Sequence, residues 1–343
     1  MKEIDKSNMF GILKNFHKQI SEAIQIGKEI DFGGFDYWGF KNIVINGLGG
    51  SAIGGDLIRS FTHYNSTIPI YINRNYHLPG FAGKDTLSII SSYSGNTEET
   101  NSAYQESIKK GCRILCISSG GKVEEMALKH NNLFVKIPGG LQPRCAVGYS
   151  FFVLLIILSR FGFYPVQDND FTGVIENVTK NADLFSDFKN ENNNALKIAK
   201  MLRNKLPVIY SSTDLLDVVN LRWRGQIAEN AKQLAYGNVY PEMNHNELVG
   251  WEKNRDILNK IIVVFLKDAE DNDRIKMRME ITEEIYKKCT NSVISVYGEG
   301  GSRLERIFNL IYLGDWVSYH LALLNNADPT PVDAITYLKE KLS

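Results

Sequence analysis

The stretch Asn46–Gly55, NGLGGSAIGG, comes directly after the apolar run Asn42–Ile45, NIVI, and runs on into DLIRSF. Three strand-forming residues, a glycine-rich turn and a helical pattern in that order predict a β-strand feeding a helix. Gly47, Gly49 and Ala52 also satisfy the G-x-G-x-x-G/A spacing of a dinucleotide-binding turn. In such a turn, free backbone N–H groups and the positive end of a helix dipole face one crevice. Glycines there let the main chain approach an anion closely.

Outward from this turn the same rhythm repeats. The runs IPIYINRN, TLSIISSYSGNT, CRILCISSGG and NLFVKIPGG alternate with helical stretches such as TEETNSAYQESIKKG. Ile/Val-rich runs of this kind, buried on both faces, belong to βαβ units and a parallel sheet. After Phe163 the composition turns polar, with FKNENNNALKIAK as a linker or exposed helix, and then LPVIYSST, KIIVVFLKD and NSVISVYGE repeat the pattern. Between them DLLDVVNLRWRGQIAENAKQLAYG reads as one long helix stopped by Gly237, and a further helix runs from Ser302 to about Asn325. Upstream, Phe10, Leu13, Phe16, Ile20 and Ile24 have helical spacing, which predicts one amphipathic helix over Met9 to Ile26. The expectation is an α/β protein of two domains, 1–163 with its leading helix and 164–343 with its C-terminal helices. Each is a mainly parallel sheet flanked by helices.

A chain of 343 residues with 43% hydrophobic and 23% charged residues suits two such domains. Lys+Arg and Asp+Glu both number 39, so no net charge argues for nucleic acid or an anionic membrane as partner. The N-terminal MKEIDKSNMF lacks the apolar segment of a signal peptide, and the run around Phe151 to Leu158 is too short to span a bilayer, so it predicts a buried core helix. Cys112, Cys116, Cys145 and Cys289 have neither C-x-x-C nor zinc spacing, as expected of reduced thiols in a cytoplasmic protein.

Two loops bear on the ligand. A dinucleotide usually needs a carboxylate at the end of the second strand for its ribose, yet PIYINRNY ends in Asn73 and Arg74. Arg74 leaves a 2′-phosphate possible. The loop SSYSGNTEET gathers the hydroxyls of Ser92, Ser94 and Thr97 around Gly95, just where a helix opens. Helix capping accounts for one hydroxyl. Three hydroxyls with N-terminal amides suit the several acceptor oxygens of a phosphate monoester.

The ordered set GLGGSAIGGD, SYSGNTEET, QPRCAVGYS, IAENAK, NHNE and DPTPVDAITYLK resembles the bifunctional phosphoglucose/phosphomannose isomerases, and the serine loop is similar to the phosphate loop of sugar isomerase (SIS) domains. The likeness covers nearly the whole chain. It implies two SIS domains, a homodimer with active sites at the subunit interface, a hexose 6-phosphate substrate, and no cofactor or metal.

Aldose–ketose isomerisation needs a base to move a proton between C2 and C1, a group to stabilise the enediolate, and acid/base groups to open the ring. Glu229, among Ile227, Ala228 and Ala231, suits a proton-transfer base; by composition alone it also reads as a helical Glu paired with Lys232. The resemblance makes Glu229 the proton carrier, His245 and Lys339 the ring-handling residues, and Arg144 the enediolate partner, with His245 reaching the site from the second subunit. Gly49, Gly50 and Ser51 would contact the substrate, while Ser92, Ser94 and Thr97 would hold the phosphate. His245 and Glu247 superficially suggest a metal pair, but no H-E-x-x-H or third ligand supports one. Two other readings remain open at this point: a non-catalytic SIS sensor of sugar phosphates, and an NAD(P) oxidoreductase.

Overall fold

The computed structural model describes residues 3–342. Helices α1 (Met9–Lys14) and α2 (Phe16–Glu29) precede β1 (Asn42–Asn46), α3 (Gly49–Thr62), β2 (Ile70–Asn73) and β3 (Thr86–Ser91). Then come α4 (Glu98–Lys109), β4 (Arg113–Ser118), α5 (Gly121–His130) and β5 (Leu133–Lys136), with α6 (Leu154–Arg160) closing the first set. The second set runs α7 (Asp168–Ser186), α8 (Asn194–Leu202), β6 (Leu206–Ser212), α9 (Asp217–Ala231) and β7 (Tyr236–Tyr240). It continues with α10 (Arg255–Leu258), β8 (Ile261–Lys267), α11 (Asp273–Cys289), β9 (Val293–Tyr297), α12 (Arg303–Leu324) and α13 (Asp333–Leu342).

The chain forms two compact units, Phe16–Asn169 and Met1–Asn15 with Asp170–Ser343. The division therefore falls at 15/16 and 169/170, where the sequence reading put 163/164 with the whole leading segment in the first domain. The expected single helix over Met9 to Ile26 is two helices: Asn15 ends α1, its side-chain amide donating to the Gly11 carbonyl at 2.8 Å.

In the Phe16–Asn169 unit five strands pair in parallel in the order β2-β1-β3-β4-β5. Every residue of β3 is buried, as a strand covered on both faces requires. The register sets Asn46 beside Ile90, Ser91 beside Ile117, and Ile117 beside Val135. The turns after β1, β3, β4 and β5 consequently emerge side by side at one edge. The apolar run around Phe151 is a π-helical turn at Tyr149–Val153 followed by α6, buried through Leu158 as expected. It packs against α2, where Gly27 lies so close to Ile156 that a Cβ would come within 2.9 Å.

The other unit holds a parallel sheet in the order β7-β6-β8-β9. Its core is aromatic, with Tyr210, Tyr240, Phe265, Tyr286 and Trp251 packed together. The stretch read as one helix to Gly237 is instead α9 and β7. Lys232 turns left-handed at φ 54° and ends the helix, and Gly237 sits within β7. There a Cβ would lie 2.2 Å from the Ile209 carbonyl oxygen, so glycine serves close strand pairing at this position. Among the described residues one helix, Arg303–Leu324, is long and apolar enough to cross a membrane, and 89% of its apolar window is buried inside the protein. The buried Arg222–Asp315 pair joins α9 to this helix, with Nη2–Oδ2 at 2.7 Å. Gln226 adds a bond to Asp315 at 2.8 Å and Asn230 one to Ser318 at 2.9 Å. All four cysteines are free thiols, and burial pushes the Cys116 thiol up to about 12.

Candidate active site

The carboxyl end of the first sheet gathers the loop residues singled out from the sequence. Helix α3 begins at Gly49 after Leu48, α4 after Thr97 and α5 after Gly120, and in none of the three does the N-cap residue's side chain close the first turn. The leading amides of α3 and α4 therefore face the crevice with the helix dipoles behind them. Helix α5 is instead closed from the serine loop, Asn96 Oδ1 accepting the Lys122 N–H at 3.2 Å and the Gly95 carbonyl the Val123 N–H at 3.1 Å. Capping does not explain the Thr97 hydroxyl, which accepts from Ser92 Oγ at 3.3 Å.

The serine loop is pre-shaped and loosely bonded. Ser92 Oγ accepts the Gly95 N–H at 3.2 Å and Ser94 Oγ accepts the Asn96 N–H at 3.3 Å. These contacts sit at the long end of the hydrogen-bond range, so a phosphate oxygen can replace them at small cost. Ser92 is buried, Thr97 half-buried and Ser94 exposed, which forms a wall from floor to rim. Gly95 has φ 72°, and a Cβ there would meet the Gly120 carbonyl oxygen at 1.7 Å. Glycine is required on both counts.

The glycine turn forms the floor. A Cβ on Gly50 would lie 2.3 Å from the Pro143 carbonyl oxygen, so this backbone touches the Arg144 segment directly. Ser51 is buried, and its Oγ accepts the Tyr93 N–H at 3.0 Å, leaving its own proton to be donated elsewhere. Arg144 is 5% exposed and sits in the short helical turn Pro143–Cys145. That turn is held from α2 by Gln19, whose Nε2 donates to the Cys145 carbonyl at 2.9 Å while its Oε1 accepts the Gly148 N–H at 2.8 Å. Gly49, Gly50, Ser51, Ser92, Ser94, Thr97 and Arg144 are thus brought to one edge.

The dinucleotide reading fares poorly at this edge. Asn73 at the end of β2 donates to Asn46 at 3.0 Å, and Arg74 is paired with Asp56 of α3. Both side chains at that strand end thus already have a protein partner, and no carboxylate stands there for a ribose.

Glu229, His245 and Lys339 belong to the other unit, on three separate elements. Glu229 is half-buried in the last turn of α9, and Lys232 donates to its backbone carbonyl at 2.6 Å. His245 is exposed at the end of the short turn Glu242–His245. Both carboxylate oxygens of Glu247 are engaged, one by Tyr210 and one by Asn238 Nδ2 at 2.8 Å, so the superficial His245–Glu247 pair is no metal site. Among the described residues no cluster of His, Cys, Asp or Glu suits a metal ion. Lys339 is exposed on α13, a helix with no buried residue.

Sequence reasoning missed Gln19 and Tyr93. Gln19 lies over a hundred residues from the loop it holds and carries no motif. Tyr93 sits inside SSYSGNT, where an aromatic among serines was the available signal.

Two parallel sheets, the first of which presents serine hydroxyls and open helix starts at its carboxyl-end turns, define an α/β protein of the SIS class. A solved structure of tagatose-6-phosphate ketose/aldose isomerase from Escherichia coli has a similar fold, with a TM-score of 0.68 at 12% identity over 95% of each chain. Residues 191–342 match the bacterial phospho-glucose isomerase C-terminal SIS domain. Over 340 residues, 98% of this chain and 99% of the relative, it is 45% identical to the bifunctional phosphoglucose/phosphomannose isomerase of Caldicellulosiruptor bescii. To the protein of that name from Thermoplasma acidophilum it is 39% identical over 336 residues, covering 97% and 100% of the two chains. The chain belongs to the bifunctional phosphoglucose/phosphomannose isomerase family, and it is an isomerase.

Proposed function

We propose that the protein interconverts glucose 6-phosphate and mannose 6-phosphate with fructose 6-phosphate through a cis-enediol(ate), without a cofactor, as a cytoplasmic homodimer. The observation that carries this reading is the edge where two helix starts without side-chain caps, those of α3 and α4, meet a hydroxyl-rich loop and a buried arginine. Ser92, Ser94 and Thr97, with the first amides of α4, hold the phosphate; Gly49, Gly50 and Ser51 meet the sugar. His245 and Lys339 move protons at the ring oxygen and O1 to open the hemiacetal. Glu229 takes the proton from C2 of the open-chain aldose and returns it to C1. Arg144 balances the charge that collects on the enediolate oxygens between those steps. Because the proton is moved within one carbon skeleton, no external oxidant or reductant enters the balance. His245 is exposed in its own chain, which fits a residue offered to the active site of a second copy.

The test is an NMR assay of purified protein with each aldose phosphate and no added nicotinamide. Both should yield fructose 6-phosphate, and Glu229→Gln should cut turnover by about 10²–10⁴-fold, the range of general-base catalysis. Saturable binding with no turnover would instead mean a sensor. If His245 is shared across the dimer, mixing inactive Glu229→Gln and His245→Ala proteins restores activity, since the mixed dimer has one whole site; no recovery would refute the sharing.

A further inference from the structure

Tyr93 is bonded to three of the neighbouring turns at once. Its N–H donates to Ser51 Oγ in the turn after β1 at 3.0 Å. Its carbonyl accepts the Ser119 N–H at 3.0 Å and the Ser119 hydroxyl at 2.6 Å in the turn after β4. Its phenol oxygen accepts the Leu141 N–H at 3.0 Å in the segment after β5. The side chain is 8% exposed, so it is fixed by packing as well as by hydrogen bonds.

Leu141 lies three residues before Arg144, and the intervening chain is a closed turn in which the Cys145 N–H bonds the Gln142 carbonyl at 2.8 Å. The far end of the segment is tied by Gln19 to α2, as described above. The near end is tied through Tyr93 to the serine loop. A shift of that loop as it closes on an anion is therefore delivered to the amide of Leu141, and from there through a stiff turn to the guanidinium. A contact of this kind matters because a misplacement of about 1 Å in a charge-stabilising group can cost on the order of 10²-fold in rate.

We propose that Tyr93 is a positioning residue that carries phosphate occupancy of the serine loop to Arg144, so that the enediolate partner is set only when the phosphate is held. This rests on the assignment of the serine loop and Arg144 made above. Tyr93→Phe keeps the ring in its pocket and removes only the oxygen that accepts the Leu141 N–H. The experiment is amide hydrogen exchange read by mass spectrometry, with and without saturating inorganic phosphate, on the wild-type and variant proteins.

In the wild type, phosphate should slow exchange in both 91–97 and 140–148. In Tyr93→Phe the slowing should remain in 91–97 and vanish in 140–148, with kcat on fructose 6-phosphate down about tenfold and KM within about threefold. Slowing of both segments in the variant, or an unchanged kcat, overturns the coupling. So does a wild type that slows only in 91–97. A wild type with no slowing in 91–97 overturns the phosphate assignment, and the coupling falls with it. A merely structural role would lower the melting temperature and leave the phosphate-linked slowing of 140–148 in place.

Discussion

At the carboxyl end of the first sheet, α3 and α4 begin after Leu48 and Thr97 with no side chain closing their first turns, while Asn96 of the serine loop closes α5 by accepting the Lys122 N–H. In the second sheet, Asn272 and Ser302 close α11 and α12 themselves, their side chains accepting from Arg274 and Glu305 amides. Of the helices that follow β6, β8 and β9, α9 alone starts uncapped, after Leu216. Where the first sheet offers Ser92, Ser94 and Thr97, the second offers Asp268, Glu270 and Asp271, and these are already engaged. Asp268 accepts from Arg306 at 2.8 and 3.2 Å, Glu270 from Arg303 and Arg306, and Asp271 from Ser212 and the Asp268 N–H. A strand-to-helix turn is therefore only an opportunity. Whether it becomes a ligand site depends on whether its donors are left for a guest or taken up by the protein's own acceptors.

That contrast can be broken from either side. The largest effect should come from Gly95→Ala, which combines positive φ with a backbone clash. Each of those faults costs about 1–3 kcal/mol, so the loss should be about 4 kcal/mol, read as a lower urea midpoint with loss of phosphate binding. Next is acid. His320 is buried in the second unit beside Trp316 and Tyr319, with Nε2 2.8 Å from the Phe185 carbonyl. Burial holds its pKa down at about 4, against 6.5 for the ordinary imidazole. The folded state thus refuses a proton that the unfolded chain accepts. Stability is complete above pH 6.5 and drains away as pH falls toward 4, by about 3 kcal/mol. Thermal melts over that window should show the slope, and His320→Asn should flatten it.

Smaller is the conversion of the first crevice into the likeness of the second. Ser94→Asp places a carboxylate where the phosphate is expected, and inorganic phosphate affinity by calorimetry should fall about 100-fold, or about 2.7 kcal/mol. Its counterpart, Asp271→Asn in the second crevice, should leave isomerase turnover within about twofold, because that crevice holds no part of the proposed reaction. Loss of turnover there would undo the comparison.

The strands of both sheets, except β7, were legible as apolar runs, and so were the serine loop and the start of α4. What failed was punctuation. Gly237 reads as a helix stop because glycine usually is one, whereas here it lies inside a strand that must approach Ile209 closely. Asn15 gives no strong break signal, yet it splits the leading helix. Tyr93 and Gln19 were illegible as struts because their bonds join positions that only strand register and helix packing bring together. The motif supplied chemistry; the spacing of the sheet supplied the mechanical links.

The contact of Gly50 with the Pro143 carbonyl has an evolutionary consequence. At Gly50 the floor of the crevice is main chain against main chain, so that one position has no side chain to vary and no alphabet in which to drift. A change of preference between sugars is therefore expected at a neighbouring side chain such as Ser51 and not at Gly50 itself.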